Sequence, residues 1–169
     1  MFLLLQVVTV FLVSVAMSLA LAHALELPGK MRLNRETYIA AQSIYYPGFT
    51  FGGFGEGLGM VATLVLLLLL TPTKGPAFWW TLTGLVALVA MHAVYWVVTH
   101  PVNKFWMKDQ RLEGFGAGFF SLDPARRGAV AEKSSQDWTR FRDRWEYSHV
   151  LRAILAVIAL IALIVAIAI

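Results

Sequence analysis

Long apolar runs, parted by stretches that hold most of the charge, set the organisation of this chain. A bilayer core takes about 20 apolar residues in a helix. The first run, residues 2–25, is uncharged, and Pro28 and Gly29 are expected to stop it. Residues 22–24, "AHA", imitate a signal-peptide cleavage site, but no basic residue precedes the run, so it is expected to be kept as a span. The second run is uncharged only from Leu58 to Leu70, too short to cross. To reach membrane length its helix has to begin near Gly48, just after Pro47, which draws Glu56 two turns, on the order of 12 Å, below the interface. Gly53/Gly57 and Gly55/Gly59, each four apart, would let a neighbouring helix approach closely. The third span covers residues 77–99 ahead of Pro101, and the fourth covers 147–169. The pattern predicts an all-α, integral membrane four-helix bundle in a single domain, 1–169.

Two connections are long. Residues 34–46, "NRETYIAAQSIYY", open on a capping Asn34 and predict a short interfacial helix. In 101–146, residues 114–128 read as an irregular loop. Trp138, Phe141 and Trp145 then form one helical stripe that is expected to extend the fourth helix into the cytoplasm. Among the 14 Lys and Arg residues, all but Lys74 fall on the side of these two connections or within a turn of it. The positive-inside rule therefore predicts cytoplasmic connections and both termini outside, in the inner membrane of a bacterium. The composition agrees with the spans: 59% hydrophobic residues and a mean hydropathy of +0.68, against about 45–50% apolar in soluble domains. The absence of cysteine excludes disulfides, thiolate metal sites and a thiol nucleophile. The basic excess reads as topology and contact with anionic lipid, and no nucleic-acid module is visible. The glycines of "FGGFGEGLG" lie in a span and lack the residues a phosphate loop needs.

Polar residues collect at one depth. Helix one would end at His23 and Glu26, helix two would carry Glu56, and helix three would place His92 two turns deeper than His100. Helix four would open on Glu146, His149 and Arg152. Glu56 and His92 come out at similar depth. Ionisable groups inside a membrane are expensive and usually face the bundle interior, paired or functional. A buried Glu–His bond that fixes helix packing is the plain structural alternative. Arg152 could equally snorkel to phosphate.

Three chemistries suit this set. Glu-x-x-His, here "EYSH" (Glu146 to His149), is a ligand pair of carboxylate-bridged di-iron bundles, with "HALE" (His23 to Glu26) its reverse. On that reading Glu56, His92, His100, Glu146 and His149 would hold a transition metal such as iron, copper or zinc. Haem between His100 and His149, or between His23 and His100, is a second possibility. The third needs no metal: Glu56 and His92 act as general base and proton relay. Phe49, Phe51, Phe54, Tyr95, Trp96 and Trp106 would then line a cavity for a hydrophobic small molecule drawn from the bilayer.

"HPVNKFWM" after the third span and "RWEYSHVLRAIL" at the fourth resemble the anthrone-oxygenase-like family of small four-helix membrane proteins, through Pro101, Asn103, Trp145, His149 and Arg152. The resemblance implies oxidation of an aromatic anthrone to a quinone. The chain departs from the family in its Tyr- and Gly-rich insert after residue 34. Together these readings lead to an integral membrane oxidoreductase, oxygenase-like, acting on a lipophilic substrate with Glu56 and His92 as catalytic residues and His23 behind them. The rival is a non-catalytic subunit of a larger membrane complex or homo-oligomer, docked through Gly53, Gly57, Ala156 and Ala159. A transporter is a weaker third reading.

Overall fold

The computed structural model describes residues 1–45, 48–70, 74–107 and 138–169. The loop expected over 114–128 lies outside them. Helix α1 spans Phe2–Lys30, α2 Arg35–Gln42, α3 Gly48–Leu70, α4 Pro76–Val94, α5 His100–Met107 and α6 Trp138–Ala168. A 3₁₀ turn, Ser43–Tyr45, follows α2, and a π-helical turn, Tyr95–Thr99, joins α4 to α5. Asn34 caps α2 as expected, its side chain accepting from the Thr37 amide at 2.9 Å. Among the described residues four helices are long and apolar enough to cross a membrane: α1, α3, the continuous α4–α5 rod as far as Asn103, and α6. They form an integral membrane four-helix bundle. Each of α1 and α4 packs against both α3 and α6, so α1 stands diagonally opposite α4.

Two prolines do not stop their helices. Pro28 lies inside α1, which runs on to Lys30. Proline removes one amide donor from a helix interior, and here the loss falls in the last turn. The end is closed by the Met31, Arg32 and Leu33 amides donating to the Leu27, Gly29 and Lys30 carbonyls at 3.0–3.1 Å. The extension matters because it carries Lys30 into the bundle.

Pro101 likewise lies within a helix, and the third span continues past the Thr99 limit expected for it. The missing Pro101 N–H leaves the Val97 carbonyl without its helical donor. The helix widens to a π turn, in which the His100 amide bonds Tyr95 O, and Arg144 Nη2 donates to Val97 O at 3.0 Å. Arg144→Ala should therefore cost about 1 kcal/mol of thermal stability. Scanning fluorimetry in detergent checks this, and an unchanged unfolding midpoint would refute the capping role.

Packing follows membrane rules, with small residues inward and branched ones outward. On α6, Ala153, Ala156, Ala159, Ala162 and Ala166 are buried, while Ile154, Ile158, Ile161, Ile164 and Ile167 are exposed. Ala156 and Ala159 thus sit in the bundle core and offer no face to a partner, which corrects the docking surface expected with Gly53 and Gly57. Close approach of α1 to α3 runs along Gly52, Gly55 and Gly59; a Cβ at Gly59 would stand 3.3 Å from Val13 Cγ2. Hydroxyls in the spans are satisfied locally, as with Thr9, Ser14, Thr63 and Thr81, each bonded to the carbonyl four residues earlier. At the polar end, α2 lays a fully buried Tyr38 against Val102, Trp106 and Trp145. Trp138 and Phe141 pack onto this same cluster.

Candidate functional site

The starting length of α3 decides the site. Because the helix begins at Gly48, Glu56 is carried inside the bundle, where it is 5% exposed. Glu56 Oε1 lies 3.0 Å from His92 Nδ1, and Arg152 Nη2 donates to Oε2 at 2.7 Å. Trp96, one turn beyond His92, donates its indole N–H to His92 Nε2 at 2.8 Å. Indole nitrogen is a donor only. Nε2 is therefore the acceptor, the imidazole proton sits on Nδ1, and His92 donates it to Glu56. A guanidinium on one oxygen and an N–H on the other hold the Glu56 carboxylate as an anion. Two of its roughly four lone-pair sites remain for other use.

These groups form one wall of a cavity of about 450 Å³ enclosed by all four membrane helices. The remaining wall is largely aromatic, with Tyr45, Phe49, Phe54, Tyr95, Trp96, Trp106 and Trp145. Five of the six aromatics expected from the sequence line it; Phe51 instead faces outward and is 55% exposed. Phe54 and Leu58, both on the cavity wall, are more than half exposed on the bundle exterior. The side chain of His92 is 36% exposed. The cavity thus opens sideways between α3 and α4.

On the lining of the same cavity the rings of His23 and His149 meet at 4.0 Å. His23 is boxed by Tyr45 at 4.4 Å, Phe49 at 4.5 Å and Trp145 at 5.1 Å. Arg152 Nη1 approaches His149 Nδ1 at 3.4 Å, so Arg152 spans both walls. Asn103 Oδ1 accepts from Trp145 Nε1 at 2.8 Å, tying α5 to α6 at the cavity end. Of the five residues that carry the family resemblance, Asn103, Trp145, His149 and Arg152 line this one space and Pro101 does not.

A second polar cluster closes the end beyond His23. Glu146, with no exposed surface, accepts from Tyr38 Oη at 2.7 Å. Lys30 Nζ stands 2.8 Å from Glu26 Oε2 and 3.7 Å from Glu146 Oε1, over the rings of Tyr45 and Trp145. Tyr45 Oη donates to Glu26. Burial, reinforced by Glu146, holds the Tyr38 phenol above its ordinary range. Burial and Glu26 do the same for Tyr45. Both phenols therefore remain donors wherever their carboxylates are ionised.

The structure brings Glu56 and His92 together and disperses the rest of the expected ligand set. Although i, i+3 spacing puts Glu146 and His149 on one face, Glu146 turns to Tyr38 and Lys30 while His149 faces Arg152 and His23. His100 packs on the Tyr95 and Trp96 rings, outside the cavity lining. Among the described residues no three histidines or acidic side chains converge as metal ligands. The expected haem pairs are not the ones in contact; His23 meets His149 instead. Arg152 points inward to Glu56 and does not snorkel. The sequence reading missed Lys30 because Pro28 was taken to end the helix. With the helix continued, Glu26 and Lys30 are an i, i+4 pair. The His92–Trp96 pair, also i, i+4, was equally open to that rule. Tyr38, Gln42 and Tyr45 are spaced i, i+4, i+7 and so share one helical face, but that spacing does not tell that the face folds over the end of the site.

No curated protein and no solved structure matches this chain. The family model for anthrone oxygenase matches residues 48–162, from the start of α3 into the last turns of α6. The match takes in Glu56, His92, Trp96, Asn103, Trp145, His149 and Arg152 and leaves out α1 and α2. With more than half of its length and one complete wall of the cavity inside that match, the chain belongs to the anthrone oxygenase family.

Proposed function

We propose that this protein is an integral membrane oxygenase-like enzyme that takes a flat, lipophilic aromatic with an activated methylene, of the anthrone class, from the bilayer. The observation that carries this reading is a carboxylate, Glu56, held by two donors in a cavity whose lining includes seven aromatic rings. A cavity of about 450 Å³ falls within the range that encloses a ligand of this size. Glu56 takes a proton from the methylene, and the His92 N–H and Arg152 hold the carboxyl in place. The resulting enolate is electron-rich and reacts with molecular oxygen, the co-substrate. The CH₂ becomes C=O, one oxygen atom is retained and the other leaves as water, so no external reductant is consumed. The distribution of basic residues supports a cytoplasmic polar end.

Oxygen uptake by the detergent-purified protein given an anthrone tests the reaction. The expected result is one O₂ consumed per quinone formed. Stoichiometric iron, copper or zinc that is lost in His92→Ala would instead assign Glu56 and His92 to a metal. Neither uptake nor metal would favour the accessory-subunit alternative.

Gly53→Trp tests entry from the bilayer. A Cβ at Gly53 meets nothing within 4 Å, so the fold should tolerate the change while the indole fills the mouth beside Phe54. The expected effect is a rise in KM on the order of tenfold with kcat kept. An unchanged KM would rule out the α3–α4 opening as the route.

A further inference from the structure

The His23–His149 side of the cavity has no part in proton removal, yet it holds polar groups that the protein leaves unsatisfied. His23 and His149 are 5% and 4% exposed and both line the cavity. His23 Nδ1 and His149 Nε2 are buried with no hydrogen-bond partner. Buried polar atoms almost always have one, so an orphan pair in a cavity wall calls for a ligand atom. Arg152 donates toward His149 Nδ1, which places the proton of neutral His149 on Nε2 as an unused donor. No protein group reaches either nitrogen within hydrogen-bond distance, the Glu26 carboxylate standing 3.9 Å from His23 Nδ1. The surrounding rings of Tyr45, Phe49 and Trp145 offer faces and edges to a flat ring system.

We propose that His149 and His23 form an oxygen-binding subsite, in which the His149 Nε2–H, after a small turn about its soft ring torsion, donates to a carbonyl or phenolic oxygen of a planar aromatic ligand. This deepens the oxygenase reading and rests on it for the kind of ligand. His149 and Glu56 share the Arg152 guanidinium, so the donor holds the substrate beside the base and receives the charge that moves onto oxygen when the methylene is deprotonated.

The test is equilibrium binding without turnover, read by quenching of tryptophan fluorescence, with 9,10-anthraquinone and anthracene as probes. They share a ring skeleton and differ in the two oxygens. Wild type is expected to bind the quinone about tenfold or more tightly than the hydrocarbon. His149→Phe should bring the two affinities within about threefold, and His149→Gln, which keeps an N–H, should retain the preference. A preference present in wild type, lost in His149→Phe, while the wild-type protein consumes no oxygen with an anthrone would leave the subsite standing and sink the oxygenase reading. A preference absent in wild type, or intact in His149→Phe, would overturn the subsite. The carbonyl stretch of anthraquinone bound to the wild-type protein needs no variant: a shift to lower frequency is expected, and an unshifted band would overturn the proposal.

Discussion

Glu56→Gln is expected to lower kcat for anthrone oxidation by about 10²–10⁴-fold, the usual share of a positioned general base. The amide keeps the shape and can still accept from His92, but it takes up no proton. The same change removes the counter-charge of Arg152, whose side chain is 11% exposed. Removing one partner of a buried ion pair costs about 3–5 kcal/mol, whereas replacing both is often neutral. Loss of activity in the single variant could therefore reflect a loosened bundle. The double variant Glu56→Gln/Arg152→Met separates the two effects. Its thermal midpoint should return close to wild type while kcat stays low. If activity returns with stability, Glu56 is a packing residue and the proton-transfer role is wrong. Full turnover in the single variant would refute that role outright.

Lys30→Met is expected to produce the largest loss of stability at the polar end, about 3–5 kcal/mol. The effect comes from Glu146, which is fully enclosed and has Lys30 as its facing cation 3.7 Å away. Its Oε2 has no hydrogen-bond partner, so only Lys30 and the Tyr38 hydroxyl on Oε1 offset the desolvation of that charge. The shorter contact, 2.8 Å to Glu26, contributes less because Glu26 is 39% exposed and screened by solvent. Lys30→Met/Glu146→Gln should recover most of the loss, since the amide still accepts from Tyr38 Oη. Thermal unfolding in detergent reads both variants. Equal stability of Lys30→Met and wild type would show that the cation is not holding α1 to α6.

These two clusters differ in how far they could be read from the chain. Glu56 was placed inside the membrane by a length requirement, because a helix too short to cross had to be extended backward through it. Its depth relative to His92 followed from the rise of the helix. Lys30 is hidden by a local rule: proline ordinarily ends helices, but in α1 the lost donor falls in the last turn, and the Met31, Arg32 and Leu33 amides close the end after it. At Pro101 the same correction comes from Arg144, which is brought to Val97 by the tertiary fold. The "EYSH" pair shows the opposite failure. Its spacing put Glu146 and His149 on one face, but their partners come from α1, α2 and the guanidinium one turn further along α6.

Hydropathy by itself determined the number of spans, their order and the common level of Glu56 and His92, because burying charge or an unpaired backbone in lipid is costly enough to be legible in any single segment. Rotation of the helices and the identity of their neighbours were decided only in the folded bundle. In water the inner face of a helix differs from the outer in polarity; in lipid both are apolar, and α6 separates them by size alone, alanine inward and isoleucine outward. Which carboxylate meets a guanidinium, which meets a lysine and which histidines keep an unused nitrogen therefore depended on azimuth and contact between helices, and a one-dimensional pattern carries neither.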